Sequence, residues 1–163
     1  MSNLYLETTN APTSGAYSQA VLVNTSMGNV RFVFLSGQTG NIPDTPGEPV
    51  IAGGIGPQTT QTLENLLAIV KYAYGYDEPV AQYFVALDVF LKDPGTPEQR
   101  TIQRGLFNIA YNAFFEKHGI RKDRLPARCM VWVAEVPLES PIEDTVIEIK
   151  GVAAIPMKEQ NFF

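Results

Sequence analysis

Two short apolar runs, Ala20–Val23 and Arg31–Leu35, flank the turn-rich stretch Asn24–Asn29 and predict a β-hairpin. The period then changes. Leu63, Leu66, Leu67 and Val70 fall at i, i+3, i+4 and i+7, one apolar stripe of a helix expected over Gln58–Tyr74, with Pro57 at its first position and Gly75 as its C-terminal cap. Ala81–Leu91, rich in Val, Phe and Leu, is expected as a buried strand. Thr96, Pro97 and Gln99 suit the N-cap, N1 and N3 positions of a capping box opening a second helix. Its expected core stripe is Ile102, Leu106, Ile109, Ala110, Ala113 and Phe114, and Lys117-His118-Gly119 ends it with cations and then a glycine. Two strands follow, Arg128–Val136 and Thr145–Ala154, with Pro137–Asp144 as their hairpin connection.

The order β-β-α-β-α-β-β predicts an α+β domain: one mixed sheet with two helices packed on one face, because each strand–helix–strand step can lay strands parallel with the helix on one side. The expectation is a single domain over 1–163 with a short C-terminal tail from about 156. In the last two strands the sheet face away from the helices mixes apolar and polar residues, so contact with another subunit is expected there.

Composition narrows the function. A formal net charge of -5 and a pI near 4.8 oppose a nucleic-acid partner, which requires a basic footprint, but leave room for a small anion held by one arginine. Cys129 is the only cysteine, which excludes an intrachain disulfide and favours a reducing compartment. No export-type segment and no membrane-length apolar run is read, so a cytoplasmic location is expected, with a mitochondrial matrix left open. One histidine and one cysteine offer neither a metal cluster nor a Cys–His pair, so no metal or organic cofactor is expected. His118 reads as a helix cap and Cys129 as a packed side chain.

The candidate chemistry begins at Arg128, at the mouth of an apolar strand, where a buried guanidinium would need an anionic partner. With period two, Arg128, Met130, Trp132 and Ala134 share one face, and Cys129, Val131, Val133 and Glu135 the other. Either Arg128 pairs internally with Glu135 or Glu148, or its planar fork clamps a substrate carboxylate. Glu148 alternates onto the face opposite Ile147 and Ile149. There it is either merely solvated or, in a subunit cleft, a general acid/base. Tyr17 precedes the first strand, as a packed ring or a site residue. Ser36-Gly37 ends a strand with small residues whose backbone N–H groups could hold an anion, or simply form a bulge. Gly54-x-Gly56 before Thr59 lacks the third glycine of a dinucleotide loop, and Pro57 removes an amide, so it reads as a loop into a helix.

Five landmarks in order, "APTSGAYSQAV", "FLSGQTG", "QTLENLLAIV", "NIAYNAFF" and "LPARCMVWVAEVP…IEIKGVAAI", resemble the RidA/YjgF family of reactive-intermediate deaminases over roughly Thr8 to Ala154. The resemblance implies a chorismate-mutase-like fold and a homotrimer with clefts between subunits. It also implies functional positions at Tyr17, Ser36, Gly37, Asn108, Arg128, Met130 and Glu148. In such a protein the arginine clamps the carboxylate of a 2-imino or 2-keto acid and the glutamate serves the hydrolytic water. The implied reaction is hydrolysis of imine or enamine acids to 2-keto acids and ammonia, without a cofactor. A non-catalytic binder of small carboxylates, acting as a sensor or partner-binding module, is the alternative. Gly15-Ala16-Tyr17 stands where the family often has Gly-Pro-Tyr, and Met130 where a small residue or cysteine is common, which is expected to narrow the pocket. The segments Leu91–Gly105 and Val136–Glu148 are several residues longer than in typical members, and a tail from Pro156 extends past the last strand.

Overall fold

The computed structural model describes residues 4–12, 17–24, 29–45, 49–75, 80–136 and 144–157. Six strands, β1 (Leu4–Leu6), β2 (Ala20–Asn24), β3 (Val30–Gln38), β4 (Phe84–Lys92), β5 (Ala127–Val133) and β6 (Ile147–Pro156), form one sheet in the order β1-β2-β3-β6-β4-β5. Only β4 and β5 pair in parallel; the other neighbours are antiparallel. The helices α1 (Ile55–Tyr74) and α2 (Pro97–Lys117) cover one face. The expected mixed sheet with two helices on one side is therefore present, with β1 as a strand that the apolar pattern did not reveal.

The hairpin of β2 and β3 forms with Val21 opposite Phe34 and Leu22 opposite Val33. The expected hairpin of the last two strands does not form. β6 lies between β3 and β4, and β5 pairs β4 at the sheet edge. Burial explains the choice. The helix-facing row of β6, Ile147, Ile149, Ala153 and Ile155, is entirely apolar and buried, as a central strand requires. β5 turns Arg128 and Trp132 toward the same side, and an edge lets such residues reach water. The turn at 25–28, the connection at 137–143 and the tail from 158 lie outside the described residues.

Helix α1 begins at Ile55, three residues before its expected start, so Pro57 occupies the third helical position rather than the first. Its missing N–H is still one of the first-turn groups without an intrahelical partner. Gly54 at the N-cap has φ 71° and Gly75 at the C-cap has φ 77°, both left-handed values that glycine tolerates. The strand expected from Ala81 is first a 3₁₀ turn, Ala81–Tyr83, before β4 begins.

Helix α2 has its Thr96 cap, whose Oγ accepts from the Gln99 N–H at 3.3 Å. Of its expected core stripe only Phe114 is buried and Ala110 half-buried. Ile102, Leu106 and Ile109 are exposed, and Phe107, Tyr111, Phe114 and Phe115 face the sheet. Two apolar rows compete on this helix, and the aromatic row buries far more area. Tyr111 and Phe115 lie 4.8 Å apart between ring centroids, and Phe115 meets Phe84 of β4 edge-on at 6.2 Å.

Buried amides complete the frame. Gln58 of α1 donates to the Asp144 carbonyl at 2.9 Å and accepts from the Val146 N–H at 2.9 Å, which sets the entry of β6. Gln19 accepts from the Thr8 N–H and donates to the Ala11 and Pro12 carbonyls, fixing the N-terminal segment beside β2.

Candidate functional site

The candidate residues form two groups on opposite faces of the sheet. The first is on the open face around the end of β3. Between Leu35 and Gln38 the register against β6 slips by one residue, so Ser36 and Gly37 form a bulge. The Ser36 N–H donates to the Gln19 carbonyl at 3.0 Å and its hydroxyl to the Ser18 carbonyl at 2.7 Å. These bonds anchor the segment that carries Tyr17, whose ring is exposed. Glu148 of β6 is half-buried, and its carboxylate lies against the Gly37 Cα so closely that a methyl there would overlap Oε1. Gly37 is thus required by the carboxylate above it.

The second group is on the helix side of the edge strand. Arg128 pairs in register with Leu87, a core residue of β4, so its side chain turns toward α2. Its guanidinium carbon lies 5.0 Å from the centroid of Phe107 and 4.6 Å from that of Tyr111. Asn108 is half-buried on the same helix, one turn before Tyr111. Met130 and Trp132 follow Arg128 on this face, and both pack partly against the core. The bulk of Met130 is therefore shared with the core. Trp132 donates from Nε1 to Gln103 at 3.0 Å, and Gln103 donates to the Lys92 carbonyl at 3.0 Å.

Two expectations need correction here, and one of the two alternatives for Arg128 is not realised. Arg128 is exposed, so no desolvated guanidinium needs neutralising. Among the described residues it makes no ion pair: Glu135 instead lies 3.7 Å from Lys92, and Glu148 is on the other face. Cys129 is exposed rather than packed, because the face opposite Arg128 is the uncovered one.

Electrostatics separates the two groups further. Burial pushes the Tyr111 phenol up to about 12 although Arg128 opposes the rise, so it stays protonated throughout the neutral range. Arg128 and Glu148 are also far apart within one chain. Arg128 registers with Leu87, Leu87 with Gly151, and Glu148 lies three residues along β6. This places them about 10 Å apart across the strands, about 10 Å along them, and on opposite faces. No small substrate touches both in a single chain. The open face carries exposed Phe32, Phe34 and Val131, with Phe90 under the Lys150 ammonium at 5.6 Å.

A groove of 910 Å³ beside α1, lined by Asn10, Gln61, Glu64, Lys71, Tyr72 and Lys117 among others, contains none of the candidate residues. Among the described residues no group of three or more His, Cys, Asp or Glu side chains gathers to hold a metal. No described helix is long and apolar enough to cross a membrane. The sequence reading missed Phe107 and Tyr111; their i, i+4 spacing before the Phe114-Phe115 pair was the available signal.

The family model described as Endoribonuclease L-PSP matches residues 8–155. A RutC family protein of Sulfurisphaera tokodaii is 36% identical over 138 residues, covering 84% of this chain and 90% of its own length. The 2-iminobutanoate/2-iminopropanoate deaminase of Rattus norvegicus is 33% identical over 147 residues, covering 90% and 89%. The crystal structure of E. coli TdcF with bound serine superposes with a TM-score of 0.69 at 28% identity, covering 93% of this chain and 98% of that one.

Proposed function

From the premise that the chain belongs to the endoribonuclease L-PSP family, which includes the RidA/YjgF proteins, we propose that it hydrolyses 2-imino acids of the 2-aminoacrylate or 2-iminobutanoate type to 2-keto acids and ammonia. The observation that carries this reading is the Glu148 carboxylate set over the Gly37 bulge. It sets a carboxylate that can act as a base beside the backbone groups of the bulge.

The two groups become one site when a second copy brings its Arg128 edge against this open face. Arg128 of one copy holds the substrate carboxylate through two parallel N–H···O bonds, with Asn108 beside it. Tyr17, the Ser36-Gly37 bulge and Glu148 come from the other. Glu148 takes a proton from water as the oxygen bonds to the imine carbon. It then passes a proton to the nitrogen, and the carbinolamine collapses to the keto acid with loss of ammonia. Hydrogen and charge balance without a metal or organic cofactor. A cyclic trimer on this heterologous contact has three such clefts. That the TdcF structure holds serine, a small 2-amino acid, supports a carboxylate ligand of this size. The net charge of -5 weighs against an RNA ligand despite the family's description.

The test is a dehydratase that generates 2-imino acids in a buffer that does not itself catalyse their hydrolysis. Added protein is expected to accelerate keto-acid release. Keto-acid binding without acceleration would instead identify a carboxylate binder.

A further inference from the structure

Arg128 is stacked on aromatic rings and is not paired with Glu135 or Glu148. Its guanidinium lies over two rings of α2 one turn apart, at 5.0 Å and 4.6 Å, while both rings are almost fully buried. The rings cannot shift easily: Phe107 and Tyr111 lie 5.5 Å apart between centroids, and Tyr111 continues to Phe115 at 4.8 Å. A carboxylate partner would have consumed the N–H donors of the guanidinium and cancelled its charge. An aromatic surface does neither, because it attracts the cation through its ring face and leaves the in-plane donors free. Among the described residues those donors indeed make no hydrogen bond or ion pair. The Tyr111 hydroxyl is buried without a hydrogen-bond partner among the same residues, so a phenylalanine would lose no bond there.

We propose that Phe107 and Tyr111 are positioning residues that hold the Arg128 guanidinium flat and charged, with its donor edge available to a ligand carboxylate, and that the ring of Tyr111 rather than its hydroxyl does this. The inference rests on the reading of Arg128 as the carboxylate clamp and goes beyond it by naming what fixes the clamp. The neutrality of the Tyr111 phenol agrees with it, since a phenolate would compete with the ligand for the same cation.

The experiment compares Phe107→Leu, Tyr111→Leu, Tyr111→Met and Tyr111→Phe, with Arg128→Ala as reference, by titration with 2-ketobutanoate and by imine hydrolysis. Tyr111→Met keeps more of the side-chain volume should the leucine variant fold poorly. Each non-aromatic variant is expected to raise KM and the keto-acid Kd about three- to tenfold with kcat changed by less than about twofold, and Tyr111→Phe to restore both. Combined with Arg128→Ala, the same substitutions are expected to add no further loss of binding. Unchanged affinity in folded non-aromatic variants, beside a weakened Arg128→Ala, would overturn the platform alone. An equal loss in the Arg128→Ala background would do the same. Unimpaired binding by Arg128→Ala would overturn the clamp and the platform together.

Discussion

At position 37 only a hydrogen fits on the Cα, because the Glu148 carboxylate fills the space a methyl needs. Gly37→Ala must therefore displace that carboxylate or the bulge. It is expected to lower kcat for imine hydrolysis at least tenfold while 2-ketobutanoate still binds, as a calorimetric titration beside the kinetics will read. Glu148→Gln should match it, since it keeps the shape but removes the base. Arg128→Lys preserves charge but not the planar fork, so KM is expected to rise strongly with the proposed trimer intact. The strand alternation that separates Arg128 from Cys129 and Glu148 from Ile149 was legible in the sequence, because period two is a property of any strand. Which face each row meets was not. That depends on whether a strand lies at the sheet edge, and so the sequence left the partner of Arg128 open between two readings and led to the expected burial of Cys129, which is instead exposed.

At the level of elements, α2 offers the sharpest contrast. Phe115→Ala is expected to cost about 3–5 kcal/mol, whereas Ile102→Ser, Leu106→Ser and Ile109→Ser should each stay within about 0.5 kcal/mol, by urea melts. Reversed magnitudes would restore the core stripe first expected. Periodicity located this helix and its Thr96 cap but could not choose between two apolar rows, since both repeat at 3.6 residues and only the aromatic volume under the helix decides. In the same way, hydrophobic pattern found β5 and β6 but not their separation by β4, which follows from the wholly apolar inward row of β6. The C-terminal end of α2 makes a pH prediction. Burial lowers the His118 pKa below the usual histidine range, outweighing the attraction of Glu64, whose carboxylate lies 3.9 Å away, while Lys117 and Lys71 push the same way as burial. The unfolded chain then binds a proton that the folded one resists. Stability is expected to fall as pH drops through about 6.5 toward the lower folded value, and His118→Gln should flatten that slope in thermal melts.

For the whole molecule, the open sheet face and the divided site point the same way. Phe32 and Phe34 present apolar surface to water, and Arg128 and Glu148 lie on opposite faces. Phe34→Asp is expected to leave the chain monomeric in light scattering where the proposed trimer is read for the parent, and to abolish turnover without unfolding the chain, because the ring is half-exposed within one copy. The family resemblance carried the trimer and the site residues in the sequence. Neither periodicity nor composition could show that one chain holds them as two halves, since that requires knowing which strand lies beside which. The most direct measurement mixes two inactive variants, Arg128→Ala and Glu148→Gln, by co-expression in equal amounts. If each cleft takes its arginine from one copy and its glutamate from the next, random assembly is expected to regain about a quarter of the parent turnover. Mixed assemblies as inactive as either variant alone would contradict a site shared between copies.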